Sequence, residues 1–357
     1  MAEMDNEFAK KLFYEGAILV CLDVPEGTEF GIDYNSWNVG PKFKGVKMIP
    51  PGFHFVFYAA VGRSGQTAPR TGFFQYFKQK EIIVKKWDPM IEDLVDQILS
   101  DEEMERLRAD LENLDQNLGK YPYESLKKWV SLSGHVTEQV MKKIEPVCKR
   151  ISSLTEISQE RDVGDGERCG GGRSSGGDGR RVACDTTLRF TPLSFRHFPA
   201  GASPAQITKL SMDKSEVLEE IMAKSTVKDI LGELQLAFIT FLVGQVYDAF
   251  EQWKHLIQLL CSCVDAVDKH PDVFESFIGV IHFQLLETPQ DFFVDIVSRN
   301  NFLVDNLHRF FMTVQDSSVS AKLKRKSQKF KEYLTKRFQW NFDEEPEEDA
   351  PVIVETQ

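Results

Sequence analysis

Residues 25–55 read PEGTEFGIDYNSWNVGPKFKGVKMIPPGFHF. Gly27, Gly31, Gly40, Pro41, Gly45, Pro50, Pro51 and Gly52 recur every few residues, with aromatic or β-branched residues between them, a pattern that no continuous helix can hold. Short strands and tight turns are expected instead. Tyr34, Trp37, Phe43, Phe53 and Phe55 carry more apolar surface than a loop leaves in water, so the stretch should pack against neighbouring strands.

Before this stretch, residues 3–14 read as a short helix with Phe8, Leu12 and Phe13 on one face. Residues 17–22 (AILVCL) read as a buried strand, bounded by Gly16 and the Pro25-Glu26-Gly27 turn. After it, residues 53–60, 72–77 and 82–87 continue as strands, the last two joined through residues 78–81 as a hairpin. A half-buried sheet domain is expected. From Asp88 the period changes, and Ile91, Leu94, Val95 and Ile98 form a helical stripe. Ser100 and Glu103 make a capping box for a helix through Leu107, Leu111 and Leu114, Tyr121-Pro122-Tyr123 introduces another carrying Trp129, and residues 137–144 a fourth. These helices should close the N-terminal module, residues 1–149, against its sheet.

Residues 150–189 contain GDGERCGGGRSSGGDGRR, too poor in apolar side chains to repay the entropy of ordering, and read as a flexible linker. Beyond it, residues 190–340 read as a helical domain. Ser203-Pro204 starts one helix and residues 214–223 form the next. The longest helical region, 229–264, is apolar all round in its first half and carries the stripe Val246, Phe250, Trp253, Ile257, Leu260 and Val264 in its second. Pro271, Thr288-Pro289 and Asn300 open further helices. The last, 318–338, sets Leu323, Phe330, Leu334 and Phe338 on one side and Lys322, Arg325, Lys326, Lys329 and Lys336 on another. Residues 341–357 form an acidic spacer followed by Val352-Ile353-Val354, a strand without a sheet of its own that could add to a partner's open sheet edge. The fold class is therefore α+β, β-rich first and all-helical second.

A length of 357 residues fits two domains, each burying its own core. The net charge of -12 argues against a surface built throughout for nucleic acid. Six scattered cysteines without a CxxC pair fit a reducing compartment. The N-terminus has no export signal, and the longest uncharged apolar run, 234–247, falls short of the ~20 residues a membrane span needs. No membrane partner is expected.

No catalytic constellation has convincing spacing. His255 and His282 read as structural histidines on apolar helices, Cys261 and Cys263 near His270 lack a second ligand pair for zinc, and Asp248 with Glu251 reads as a solvated face. No cofactor or metal is expected. Asn35 and Ser36 could make a turn with Trp37 filling a core gap, or Trp37 could be a rigid anchor for a protein partner. The basic stripe could be a solvated face partly neutralised by the acidic tail, or a docking surface for an acidic protein or an RNA backbone.

PEGTEFGIDYNSW followed by GPKFKGVKMIPPG resembles the N-terminal signature of the AAR-two splicing factors. YPY with LKKW (Leu126–Trp129), FPAGASPAQITKLSMD from Phe198, residues 229–260, FFVDIVS from Phe292, and LTKRFQWNF through APVIVE resemble further blocks of that family in the same order. The Gly/Arg-rich linker departs from it. The resemblance implies a β-rich domain followed by a helical domain similar to VHS superhelices, and no enzymatic activity. It implies an assembly chaperone for the U-five small nuclear ribonucleoprotein and the tri-snRNP, binding the RNase-H-like and Jab/MPN-like domains of the Prp-eight scaffold and delaying the helicase Brr-two and RNA. Other U-five proteins would be further partners. Direct RNA contact is not expected, the free protein should be monomeric, and its location nuclear and cytoplasmic. By residue the resemblance carries over only Ala350, Pro351, Val352, Ile353, Val354 and Glu355, as the strand that pairs with a partner. Trp37, Lys322, Arg325, Lys326 and Lys329 are the other candidate partner-surface residues. A VHS-like helical domain beside a polar linker would also suit a peptide- or ubiquitin-binding trafficking adaptor.

Overall fold

The computed structural model describes residues 14–61, 67–153, 185–193, 201–288 and 302–342. The expected helix at 3–14 (Tyr14 apart), the glycine-rich part of the linker, the helix start at Pro289 and the strand at 350–355 lie outside these residues.

Two five-stranded sheets form the N-terminal part. In the first, β8 (Asp93–Asp96), β7 (Ile82–Asp88), β1 (Ala17–Leu22), β4 (Gly45–Ile49) and β9 (Leu118–Lys120) lie side by side in that order. In the second the order is β10 (Ile151–Ser152), β6 (Thr71–Phe77), β5 (Gly52–Ala59), β2 (Glu29–Ile32) and β3 (Asn35–Asn38), antiparallel throughout. Successive side chains of a strand face opposite ways. On β1, Ala17, Leu19 and Cys21 turn toward the second sheet, whereas Ile18 and Val20 turn away from it. On β5, Val56 and Tyr58 face the first sheet, and Phe53, Phe55 and Phe57 face away. Both strands are buried on both faces, which accounts for their unbroken apolar sequences. The centres of both sheets are thus covered on both faces, and edge strands such as β3 and β8 are part-exposed.

Helix α1 (Asp101–Leu114) covers the outer face of the first sheet with Leu107, Leu111 and Leu114, and its Ser100/Glu103 capping box forms. The outer face of the second sheet is covered by α2 (Tyr123–Ser133), α3 (Glu138–Ile144) and the C-terminal helices. These are α4 (Pro204–Met212), α5 (Ser215–Lys224), α6 (Val227–Leu242), α7 (Tyr247–Cys261), α8 (Val264–Lys269), α9 (Pro271–Glu287), α10 (Phe302–Asp316) and α11 (Ala321–Phe338). One apolar cluster runs from Phe53, Phe55, Phe57 and Phe74 through Trp129 and Ile144 into α6, α7, α9, α10 and α11. The sheets keep a core between them, and they share a second with the helices.

Four local expectations are corrected. Strands β6 and β7 do not form a hairpin: β6 already pairs on both sides with β5 and β10, and β7 pairs with β1 in parallel. The 78–81 connection, with Lys80 at φ 60°, is instead a corner between the two sheets. The stripe Ile91, Leu94, Val95, Ile98 is not helical, because 93–96 pairs antiparallel with β7 and only Leu94 of the four is buried. The turn expected at Asn35-Ser36 lies at Asp33-Tyr34, where Asp33 has φ 55° and Ile32 pairs with Asn35, so Asn35–Asn38 is a strand. The region 229–264 is two helices and the start of a third. Gly244 brings the α6–α7 break against the Phe55 ring, Gln245 turns left-handed at φ 58°, and Val264, outside the core stripe, opens α8. Both ends of the expected linker also join the packed structure: Ile151 pairs with Gly72, and the Arg189 backbone N–H donates to the Ile144 carbonyl.

Gly232 lets α6 approach the turn before α3. A Cβ there would sit 2.5 Å from the His135 carbonyl oxygen and 3.3 Å from Val140. Gly→Ala in a free helix gains up to about 1 kcal/mol. Here the sign should reverse, with Gly232→Ala losing about 1–3 kcal/mol to overpacking, read as a lower urea midpoint at unchanged denaturant slope.

Candidate partner-binding surfaces

The last helix, α11, buries Leu323, Ser327, Phe330 and Leu334 and ends at Gln339 in a left-handed cap. Of the predicted stripe, Lys322, Arg325, Lys329 and Lys336 are exposed and Lys326 is half-buried. Lys322 is tied to Glu275 of α9 at 2.6 Å, and the Lys326 ammonium donates to the Glu275 backbone carbonyl. Burial lowers the Lys326 pKa, with Glu275 opposing, while the hydrogen bond to Glu275 raises that of Lys322. Glu275 therefore gathers one side of the stripe and leaves Arg325 and Lys329 at its crest.

Trp37, on the edge strand β3, is half-buried. Its ring lies 5.9 Å from that of Phe30, and its edge covers Gly119. Asn35 beside it donates from Nδ2 to Ser125 Oγ at 2.7 Å, tying the hairpin to the start of α2. Trp37 packs against the core between the sheets, whereas α11 belongs to the cluster shared with the helices. Ala350 to Glu355, expected to pair as a strand with a partner, lie outside the described residues.

A cleft of about 700 Å³ opens among α3, α5, α6 and the 190–192 segment. At its base Glu233 is buried, yet its carboxylate accepts from the Thr191 backbone N–H (2.7 Å), Thr191 Oγ1 (2.6 Å) and Gln252 Nε2 (2.9 Å). Those bonds pin the extended 190–192 segment to α6 and α7, a structural use of the charge.

Of the residues screened for chemistry, Cys261 and Cys263 are buried, whereas Asp248 and His255 are exposed. Burial pushes the Cys21 thiol up to about 12 and those of Cys261 and Cys263 higher still, so none supplies thiolate near neutrality. His282 lies edge-on to Tyr333 at 4.5 Å. No group of three or more His, Cys, Asp or Glu among the described residues is placed to hold a metal ion. No helix among them is long and apolar enough to cross a membrane.

What the sequence reading missed is a buried polar knot at the junction of sheet and helices. Asp33, fully buried, accepts from the Phe55 backbone N–H (3.1 Å) and from Tyr121 Oη (2.6 Å), and faces His54 Nδ1 at 2.8 Å. His54 Nε2 donates to the Pro50 carbonyl at 2.8 Å, since a carbonyl only accepts. Burial, and then the Asp33 charge, push the Tyr121 phenol far up, keeping it a donor. Arg70 is a second missed link. Its Nη1 donates to the Val243 carbonyl at the C-terminal end of α6 (2.8 Å), its Nη2 to Glu29 (3.2 Å), and its guanidinium lies 4.5 Å above the Phe57 ring.

The family model described as the AAR2 N-terminal domain matches residues 15–146, the sheets with α1 to α3. That described as the AAR2 C-terminal repeat region matches residues 190–343, the helical part through Phe342. The chain belongs to the AAR2 family. It is 44% identical to the protein AAR2 homologs of Mus musculus and Homo sapiens over 372 aligned positions, covering 99% of this chain and 97% of each relative. The Caenorhabditis elegans protein AAR2 homolog is 36% identical, with 94% of this chain and 98% of the relative covered.

Removing Asp33 from the knot leaves His54 and Tyr121 buried without their partner. Asp33→Ala should cost about 3–5 kcal/mol, against about 1 kcal/mol for Tyr121→Phe, which removes one hydrogen bond, both measured by equilibrium urea unfolding. A separate pH effect follows from His135 and His282. Burial lowers both pKa values, helped by Lys228 for the first and by Arg337 and Lys326 for the second. The unfolded chain, titrating near 6.5, then binds more protons than the fold, so stability should decline as pH falls through and below 6.5. The double variant His135→Gln, His282→Gln should show a smaller fall in urea midpoint between neutral pH and pH about 5.

Proposed function

We propose that this protein is a non-catalytic pre-mRNA splicing factor that chaperones assembly of the U-five small nuclear ribonucleoprotein. It binds the C-terminal RNase-H-like and Jab/MPN-like domains of the Prp-eight scaffold and holds off the Brr-two helicase and RNA until the particle matures. The observation that carries this reading is membership of both the sheet unit and the helical unit, in one chain, in the AAR2 family. The structure supports it in kind. A body whose sheets and helices share a core presents surfaces in fixed relation to one another, which suits a factor that bridges two domains of a scaffold. The crest of α11 offers Arg325 and Lys329 to an acidic protein surface. Ala350 to Glu355 would add a strand to a partner's sheet edge. Such a factor would work in the nucleus and the cytoplasm.

Size-exclusion co-elution with the two scaffold domains tests this. The full chain should gather both domains into one peak. A version stopping at Phe342, the last described residue, should keep the RNase-H-like domain and lose the Jab/MPN-like domain. Failure of the full chain to shift either domain would end the proposal.

A further inference from the structure

After α11 the chain folds back on itself. Gln339 takes a left-handed conformation at φ 59°, Trp340 stacks on Phe338 at 4.7 Å, and Phe342, buried, meets Phe311 of α10 edge-on at 5.2 Å. Phe311 in turn meets Phe330 at 6.1 Å. The last described residue is therefore seated on α10 beside the Phe311–Phe330 contact with α11.

Phe311 also lines a groove of about 220 Å³ between α10 and α11. Lys331 and Lys324 line it too, Lys331 with an interaction of its own, Gln315 and Gln328 add amides, and no carboxylate among the described residues lines it. Lys324 donates to the Gln315 carbonyl at 2.8 Å, which uses one of the three donors of its ammonium. The next seven residues of the sequence, 343–349, are acidic at every position except Pro346.

We propose that Asp343, Glu344 and Glu345 occupy the α10–α11 groove against Lys331 and Lys324, docking the acidic segment on its own helical domain. Reach and charge both select this occupant. Lys331 and Lys324 stand about 10 Å apart along the helix, which three extended residues span at about 3.4 Å each. The helix carries eight Lys and Arg side chains against one Glu, in a protein of net charge -12, so the segment meets its strongest complement where it leaves Phe342. Each exposed ion pair contributes little alone. The tether supplies the rest, since a short linker holds the segment at an effective concentration of the order of millimolar.

Zero-length carbodiimide coupling of the full chain, mapped by peptide mass spectrometry, tests the docking without any partner present. Lys331 or Lys324 should form amide links to Asp343, Glu344 or Glu345. Mixing isotopically light and heavy protein should show these links within one chain, and molar salt, where the screening length shrinks to about 3 Å, should reduce them several-fold. In Lys324→Gln with Lys331→Gln, with the far-UV spectrum unchanged, the links of this segment should disappear without moving to other lysines. Links from 343–345 to Lys322, Lys329 or Lys336 in the unaltered protein, links only between chains, or none at low salt would each overturn the proposal. Because no scaffold domain takes part, failure here leaves the partner reading standing, and the reverse also holds.

Discussion

The architecture depends on satisfying one buried carboxylate. Asp33 sits in the two-residue turn between β2 and β3 with no solvent exposure. Taking an ionised carboxylate out of water costs several kcal/mol unless its oxygens are fully used. Here they are used by three groups from two places in the chain: the Phe55 backbone and His54 on β5, and the Tyr121 hydroxyl ahead of α2. Satisfying the charge therefore fixes the point at which α2 begins. From that start Trp129 reaches Phe53, donating from Nε1 to its carbonyl at 2.7 Å and stacking on its ring at 5.9 Å. Trp129 belongs to the cluster that continues into the C-terminal helices, so the placement of those helices on the sheet follows from the turn.

That dependence explains why the two halves share a core. The outer face of the second sheet carries Phe53, Phe55, Phe57 and Phe74, far too much apolar surface for α2 and α3 to cover alone. Helix α6 completes the cover, and its sequence shows the consequence: it is apolar on every side because it meets the sheet side on one face and α7 and α9 on others. Two glycines make the approach close enough, Gly232 against the turn at His135 and Gly244 against Phe55. Arg70 then caps the negative end of α6 from the sheet side.

Much of this was legible, and the rest was not for identifiable reasons. Strand 17–22, the Ser100 capping box, the Ser203-Pro204 and Pro271 helix starts and the basic stripe of α11 depend on neighbours within a few residues, which a sequence displays. The segment 91–98 misled because apolar spacing alone cannot tell an edge strand from a helix when only Leu94 is buried. The missing β6–β7 hairpin and the break near Gly244 were decided by partners far along the chain, β10, β1 and Phe55. His54 and Asp33 stood in the opening stretch, but nothing local marks a charge whose donors come from residue 121. Arg70 lay in a polar loop without any pattern. For the candidate partner surface, sequence placed the cations on one helix yet could not show that Glu275 of α9 takes up Lys322 and Lys326.

The same helix can serve two opposed electrostatic tasks because of its geometry. At about 100° per residue, Lys324 and Lys331 fall on one flank of the buried stripe Leu323, Phe330, Leu334, whereas Lys322 and Lys326 fall on the other, each about 160° round from Lys324. The first flank faces α10 and the groove, the second faces Glu275 of α9. An acidic segment neutralising the groove leaves the opposite crest positive, and at physiological ionic strength a charge more than about 8 Å away is largely screened from it. A protein with net charge -12 can thereby keep one cationic surface for an acidic partner without exposing the whole helix to nucleic acid. The helix core, two residues wide between the flanks, is what keeps the two tasks apart.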